Sequence, residues 1–250
     1  MTSARLRLSR PASAGRSVRP PGRGETALAA LALAISGVFA LVLAFAGPTT
    51  YEDVATRESL HRQLFFAPAK DDPRDSVEAT TYPTATLVRL QRETLAYVLG
   101  EAPALPPSPT RGAFYTRSEA GHMADVRTVF AAARAASVAG LAVLAILVVR
   151  RRRDPRGLAI LLRGAAVTAA LGVAALAIFA GFAFDAFFLA FHEVLFPQGN
   201  FSFDPATSNM LKLYPEEYWY AVTLRVGLAF LLLAAVIAAA GHVASRRLAK

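Results

Sequence analysis

Apolar and polar residues fall in long blocks along this chain, and the block lengths predict membrane-spanning helices. Residues 27–46 are almost wholly apolar. About 20 residues at ~1.5 Å each cross a hydrocarbon core of roughly 30 Å. Comparable runs follow at about 131–149, from 158 to 182 or beyond, and at about 219–240. Between the first two lies a mixed stretch with most of the Pro, Asp and Glu of the chain and nearly balanced charges. Within it, Leu87, Leu90, Leu95 and Val98 share one side of a short amphipathic helix. Lys70–Asp75 reads as a solvated loop, and residues 103–109 as a stiff proline-rich connector. Between the last two runs, Pro197, Gly199, Asn200 and Pro205 mark an interfacial loop.

The expected fold is an all-α membrane protein, a four-transmembrane-helix bundle with a small extracytoplasmic cap between spans 1 and 2. The segments are a basic cytoplasmic tail (1–25), span 1 (26–47), the cap (48–120), an amphipathic start plus span 2 (121–150), a basic loop (151–157), span 3 (158–192), a second outer loop (193–217), and span 4 with a basic end (218–250). A basic tail followed by an apolar run also fits a signal peptide, with Ala44-Phe45-Ala46 as a cleavage-type site. The run is longer than a usual signal core, so an uncleaved first span is favoured.

Composition agrees with this division. Of the 250 residues 54% are hydrophobic, high for a soluble domain. The formal charge of +9 would suit nucleic acid if spread over one face. Instead, basic residues cluster in the N-terminal tail, at Arg150–Arg153 and at Arg246, Arg247 and Lys250, each beside an apolar run. That is the positive-inside pattern; it places both termini in the cytoplasm of a multi-pass protein of the cell membrane and speaks against a nucleic-acid partner. Tyr214, Tyr218, Trp219 and Tyr220 fall where an interfacial aromatic belt belongs. The absence of cysteine excludes disulfides, thiolate metal sites and a cysteine nucleophile.

The candidate chemistry lies at the outer ends of spans 2 and 3. His122 has Asp125 at i+3, and His192 has Asp185 at i−7, each on its own helical face. The topology brings both histidines to one membrane surface. An acid that accepts a ring N–H fixes the tautomer and leaves the other nitrogen basic, as general acid–base work requires. The alternative is interfacial histidines satisfied by headgroup water. Two His and two Asp could hold a divalent ion, but no metal-ligand spacing is present, and no metal or other cofactor is expected. His61 reads as an exposed cap residue, and His242 as a snorkelling residue at the cytoplasmic end. Arg225, about two turns into span 4, needs an anionic partner; Asp185, a lipid phosphate or a transition-state carbonyl would serve, or the side chain snorkels to the headgroups. No serine-hydrolase, P-loop or dinucleotide-binding motif occurs.

Four pieces carry a resemblance: Glu119-x-x-His122-Met-x-Asp125-Val-Arg127, Asp185-x-Phe-x-x-Phe-His192-x-x-x-Phe196, Asn200-Phe-x-Phe-Asp204-Pro-Ala-Thr, and Tyr214-Pro-Glu-Glu-Tyr-Trp219. In these, in their order, and in the length of the cap, the chain resembles the bacterial four-span membrane proteins that include the lipoprotein intramolecular transacylase, Lit. Phe201 stands where relatives often carry Trp. The resemblance implies acyl transfer from the sn-2 oxygen of a lipoprotein's diacylglyceryl group to the amine of its own N-terminal cysteine, without water or cofactor. The partners would be membrane lipids and a diacylated lipoprotein. The family's two histidines fall on His122 and His192, with Asp125 and Asp185 to orient them. Glu119, Arg127, Asp204, Trp219 and Arg225 are expected to bind substrate, with Arg127, Arg225 or loop amides holding the oxyanion. The competing reading is a non-catalytic membrane scaffold or lipid-binding protein. A transporter is a third class, poorly served by four unbroken spans.

Overall fold

The computed structural model describes residues 20–67, 78–110 and 112–250. Most of the basic tail and the expected Lys70–Asp75 loop lie outside them. Four helices are long and apolar enough to cross a membrane: α1 (Arg23–Phe45), α4 (Arg117–Arg151), α5 (Pro155–Phe182) and α8 (Glu216–Arg247). Between α1 and α4 lie α2 (Pro48–Arg57), the strands β1 (Phe65–Ala67) and β2 (Glu78–Thr80), and α3 (Thr84–Val98). Between α5 and α8 lie α6 (Phe184–Leu195) and the short α7 (Asn209–Leu213).

Two of the long helices, α4 and α5, start at side-chain caps. The Thr116 hydroxyl accepts from the Glu119 N–H while the Glu119 carboxylate accepts from the Thr116 N–H, a reciprocal cap at the start of α4. Asp154 caps α5, with Pro155 in its first turn. In the bundle, α5 runs along α8, and α1 packs on α4 and α5, while α4 barely touches α5. Helices in lipid gain no hydrophobic drive by associating, so close packing must serve. Gly140 of α4 lies against Ala32 and Ser36 of α1, where an added Cβ would fall 2.6 Å from Ser36 Oγ. That hydroxyl donates to the Ser137 carbonyl at 3.0 Å.

The segment between α1 and α4 has its own apolar core of Tyr51, Val54, Leu60, Phe65, Leu87, Leu90 and Phe114, continuous with Tyr218, Val222 and Val226 of α8. The Ala46 carbonyl, left over where α1 ends, accepts from Gln91 of α3 (3.0 Å) and from the Tyr218 hydroxyl (2.7 Å). The amphipathic helix expected around Leu87–Val98 is α3, whose Leu87, Leu90 and Val98 are buried. The three-residue antiparallel pair β1–β2 was not expected; Phe65 lies opposite Thr80. Asn209, the first residue of α7, holds it in place, accepting from the Phe66 N–H and donating to the Phe66 carbonyl.

Span 3 is not one helix through residue 192. The chain breaks at Ala183, whose N–H still reaches the Phe179 carbonyl while its own carbonyl starts α6. No proline causes this. The turn lets Phe184 pack inward against Tyr220 of α8, ring centroids 5.3 Å apart, whereas Phe182 just before it is 90% exposed.

Candidate active site

Depth comes from helix length. α4 has 35 residues, about 52 Å along its axis, more than a hydrocarbon core needs. His122 lies about 44 Å from Arg151 along that axis, 29 residues at ~1.5 Å, which is the full bilayer including headgroups. His122 therefore stands at the membrane surface opposite the basic helix ends. α6 lays His192 beside it. The two imidazoles face each other with centroids 6.0 Å apart and planes 22° from parallel.

Phenylalanines wall the pair. Phe196, the residue after α6, touches both rings, at 4.8 Å from His122 and 5.5 Å from His192. Phe203 meets His122, and Phe188, Phe191 and Phe201 meet His192. His122 is 5% exposed. His192 Nδ1 lies 2.8 Å from the Phe188 carbonyl oxygen. A carbonyl only accepts, so Nδ1 carries the hydrogen and the lone pair of the neutral ring is on Nε2. Burial lowers the His192 pKa below its usual 6.5, partly opposed by that hydrogen bond.

The acids are arranged differently from the expectation. Asp185 and His192 share a face of α6 but are two turns apart, about 10 Å along the axis and beyond hydrogen-bonding reach. One turn back, the Phe188 carbonyl takes the ring N–H instead. Asp185 meets Glu216 at the start of α8. Asp125 does face the site, but indirectly. Its Oδ2 accepts from the Gln198 amide at 2.9 Å and from the Asn200 amide at 2.5 Å. Asn200 in turn lies beside the His122 ring. Gly199 between them has φ +74°, a left-handed conformation that glycine adopts freely, and it lets both flanking carboxamides converge on one carboxylate.

Asn200, Gln198 and Phe196 are thus parts of the site that a reading of charged residues overlooks. Their sequence signal was two carboxamides flanking a glycine in an otherwise aromatic loop.

The residues expected to bind substrate have partners within the protein. Glu119, 1% exposed, accepts from Thr116 N–H, Ser208 hydroxyl and Met210 N–H, fastening α4 to the start of α7. Arg127 donates to the Ala102 carbonyl and stacks over Tyr97, which draws it toward α3. Asp204 is exposed and closes a turn through the Ala206 N–H. Trp219 stacks on Tyr214. The partner of Arg225 is Asp53 of α2, at 2.6 Å, and not Asp185. These two arginines therefore serve the joint between bundle and cap. His61 is exposed, as expected.

Comparison with known proteins follows the same lines. No curated protein matches the sequence. The fold matches the in meso structure of the membrane integral lipoprotein intramolecular transacylase Lit from Bacillus cereus, with a TM-score of 0.71 at 16% identity, over 90% of this chain and 96% of that one. Two variants of that protein, in which a histidine is replaced by arginine or by alanine, match with TM-scores of 0.66 and 0.65, also at 16% identity. They cover 91% and 90% of this chain and 94% of each of theirs. At this identity the likeness speaks for the fold, a multi-pass, four-helix membrane protein. Residues 73–219, more than half of the chain and including both histidines, match the family described as lipoprotein intramolecular transacylase Lit, and the chain belongs to that family.

Proposed function

We propose that this protein moves the sn-2 acyl chain of a lipoprotein's diacylglyceryl group to the α-amine of the same lipoprotein's N-terminal cysteine, giving a lyso-form lipoprotein. The observation that carries the reading is the facing pair His122 and His192 at one membrane surface, 6.0 Å between centroids. At that separation both rings lie close enough to serve one bound headgroup.

The chemistry asks for proton handling and little else. The N-terminal ammonium first loses a proton. The amine then attacks the ester carbonyl; the N–C bond forms and the C–O bond to glycerol breaks. The new amide sheds a second proton, and the glycerol oxygen gains one. Net, one proton leaves with no water consumed. Two imidazoles serve as base and acid, with effects of about 10²–10⁴ in rate. Ester and amine belong to one molecule, so holding them close supplies much of the rest. In this reading the phenylalanines around the rings limit the access of water, which would turn transfer into hydrolysis.

In this reading α1, α4, α5 and α8 span the cytoplasmic membrane of a bacterium. Both termini and the Arg150–Arg156 loop face the cytoplasm, and the cap and the histidines face outward. His122 and His192 are the catalytic pair, and Asp125 holds the Asn200 carboxamide beside the first.

The test uses the purified protein and a synthetic diacylated lipopeptide. The product is an isomer of equal mass, so tandem mass spectrometry must locate the acyl chain. Appearance of the N-acyl, sn-2-hydroxyl isomer supports the proposal. No rearrangement, or release of free fatty acid instead, would overturn it.

A further inference from the structure

Two atoms at the centre of the site are buried and lack a hydrogen-bond partner: His122 Nδ1 and Asn200 Oδ1. Buried polar atoms are nearly always satisfied, and exceptions at a catalytic centre point to what binds there. The direction of the Asn200 carboxamide is not free. Its amide nitrogen lies 2.5 Å from Asp125 Oδ2, and Gln198 donates to that same oxygen at 2.9 Å. A carboxylate only accepts, so the NH₂ of Asn200 must face Asp125. Its oxygen must then face away from Asp125.

His122 and Asn200 are close enough for their side chains to interact, yet neither His122 Nδ1 nor Asn200 Oδ1 has a partner in hydrogen-bonding geometry. If Nδ1 carried the hydrogen, Asn200 Oδ1 would be the natural acceptor. With the lone pair on Nδ1, two acceptors stand side by side, and both need donors. An ester or phosphate oxygen offers none. A hydroxyl offers one. A primary amine offers two N–H groups and keeps a lone pair for a third direction.

We propose that His122 Nδ1 and Asn200 Oδ1 together form a two-acceptor seat for the substrate's primary amine, with Asp125 as the positioning residue that sets the carboxamide's direction. The seat rests on the acyl-transfer reading and refines it by dividing the labour of the two rings. Once the ammonium has given its first proton to His192 Nε2, the neutral amine donates one N–H to each acceptor, and its lone pair meets the ester carbonyl. As the N–C bond forms, the second amine proton passes to His122 Nδ1, which gives it up to solvent once the product leaves. His192 returns its proton to the departing glycerol oxygen. The seat also makes the site selective, because a site built to hydrogen-bond two N–H groups rejects a ligand that lacks one.

The experiment compares two synthetic diacylated lipopeptides, one with an N-terminal cysteine amine and one with that nitrogen singly methylated. The wild-type protein is expected to rearrange the primary amine at least about tenfold faster. Asn200→Ala is expected to slow the primary amine by about tenfold or more and to bring the ratio of the two substrates close to that of an unassisted reaction. Asp125→Asn leaves every side chain in place but lets the Asn200 amide face either way, and it should also flatten the ratio. Gln198→Ala removes a clamp on the same loop without touching the seat, so it should lower the rate while preserving most of the ratio. A purely structural role for Asn200 would lower both rates together. If Asn200→Ala and Asp125→Asn both keep the wild-type preference, the seat is wrong while acyl transfer stands. If the wild-type protein rearranges neither lipopeptide, the acyl-transfer reading fails and the seat with it.

Discussion

The two ends of α4 place polar groups at opposite membrane surfaces in opposite ways. At the basic end Arg151 makes a two-pronged contact with Glu25 of α1, at 2.7 and 2.5 Å, and also reaches Asp154, which caps α5. Charge meets charge, and three helix ends are tied together. At the other end His122 is walled by Phe196 and Phe203, with one ring nitrogen left without a partner. One turn before it Glu119 is as deeply buried, yet it accepts from three donors. Burial is common to Glu119 and His122; satisfaction separates them. Stability is stored where polar groups answer one another, and chemistry is held where they do not.

The largest effect that would break this comparison is on turnover. His122→Ala and His192→Ala should each lower acyl transfer by about 10²–10⁴-fold. The double variant should be little worse than either alone, because groups that act as one unit do not contribute additively. Thermal unfolding of the detergent-solubilised variants should change far less. A histidine variant that unfolds readily while keeping its rate per folded molecule would reverse the roles assigned above.

Next in size is Glu119→Ala. It strands a hydroxyl and two backbone N–H groups that now share one carboxylate, at a cost of about 3 kcal/mol, since hydrogen bonds to charged groups outweigh neutral ones. Arg151→Ala should cost about 2 kcal/mol for the same reason. In both, denaturant titration should move while the rate per folded molecule stays within a few fold. Equal losses of rate and stability would erase the contrast.

A subtler effect concerns pH. Burial disfavours the His192 imidazolium, so the ring stays neutral and able to accept a proton below its usual 6.5. The acid limb of kcat/KM should therefore fall below pH 6.5. A limb at or above that value would mean a solvated ring, outside the phenylalanine wall.

How much of this was legible in the chain depends on the range of the signal. The four spans come from runs of about 20 apolar residues, a local property that nothing distant overrides. The histidine pair followed from counting spans, because topology alone brings 122 and 192 to one surface. Asp185 misled because two turns of helix keep a common face yet exceed the reach of a hydrogen bond. The break at Ala183 has no proline to announce it; it is set by Phe184 finding Tyr220 on another helix. Asn200 read only as a turn former, since its two neighbours, Asp125 and His122, are more than 70 positions away in sequence and are brought near by the returning loop.

Arg225 gives the smallest effect and the sharpest limit on the comparison, because it combines a charged pair with a membrane-facing helix. It stands about 32 Å from Arg246 along α8, 21 residues at ~1.5 Å, at the edge of a hydrocarbon core. Its neighbours Leu224 and Leu228 are exposed, so a lone cation there would be costly. Asp53 supplies the countercharge, with Arg57 on the same carboxylate. The hydrogen bond from Arg225 holds the Asp53 carboxyl below its usual 3.8. A depressed carboxyl pKa means that the pair contributes above the unfolded value and is lost only as pH falls toward the folded one. Arg225→Gln should therefore loosen α2 at neutral pH, read as faster amide hydrogen exchange in Pro48–Arg57 with α4 and α5 unchanged. The wild-type protein should show that loosening only below about pH 4. Both changes should be modest, because the pair is half exposed and water screens it. If α2 exchanges no faster in the variant, the cap is held by its apolar seam against Tyr218 and Val222 alone, and the charged pair merely makes an arginine tolerable at that depth.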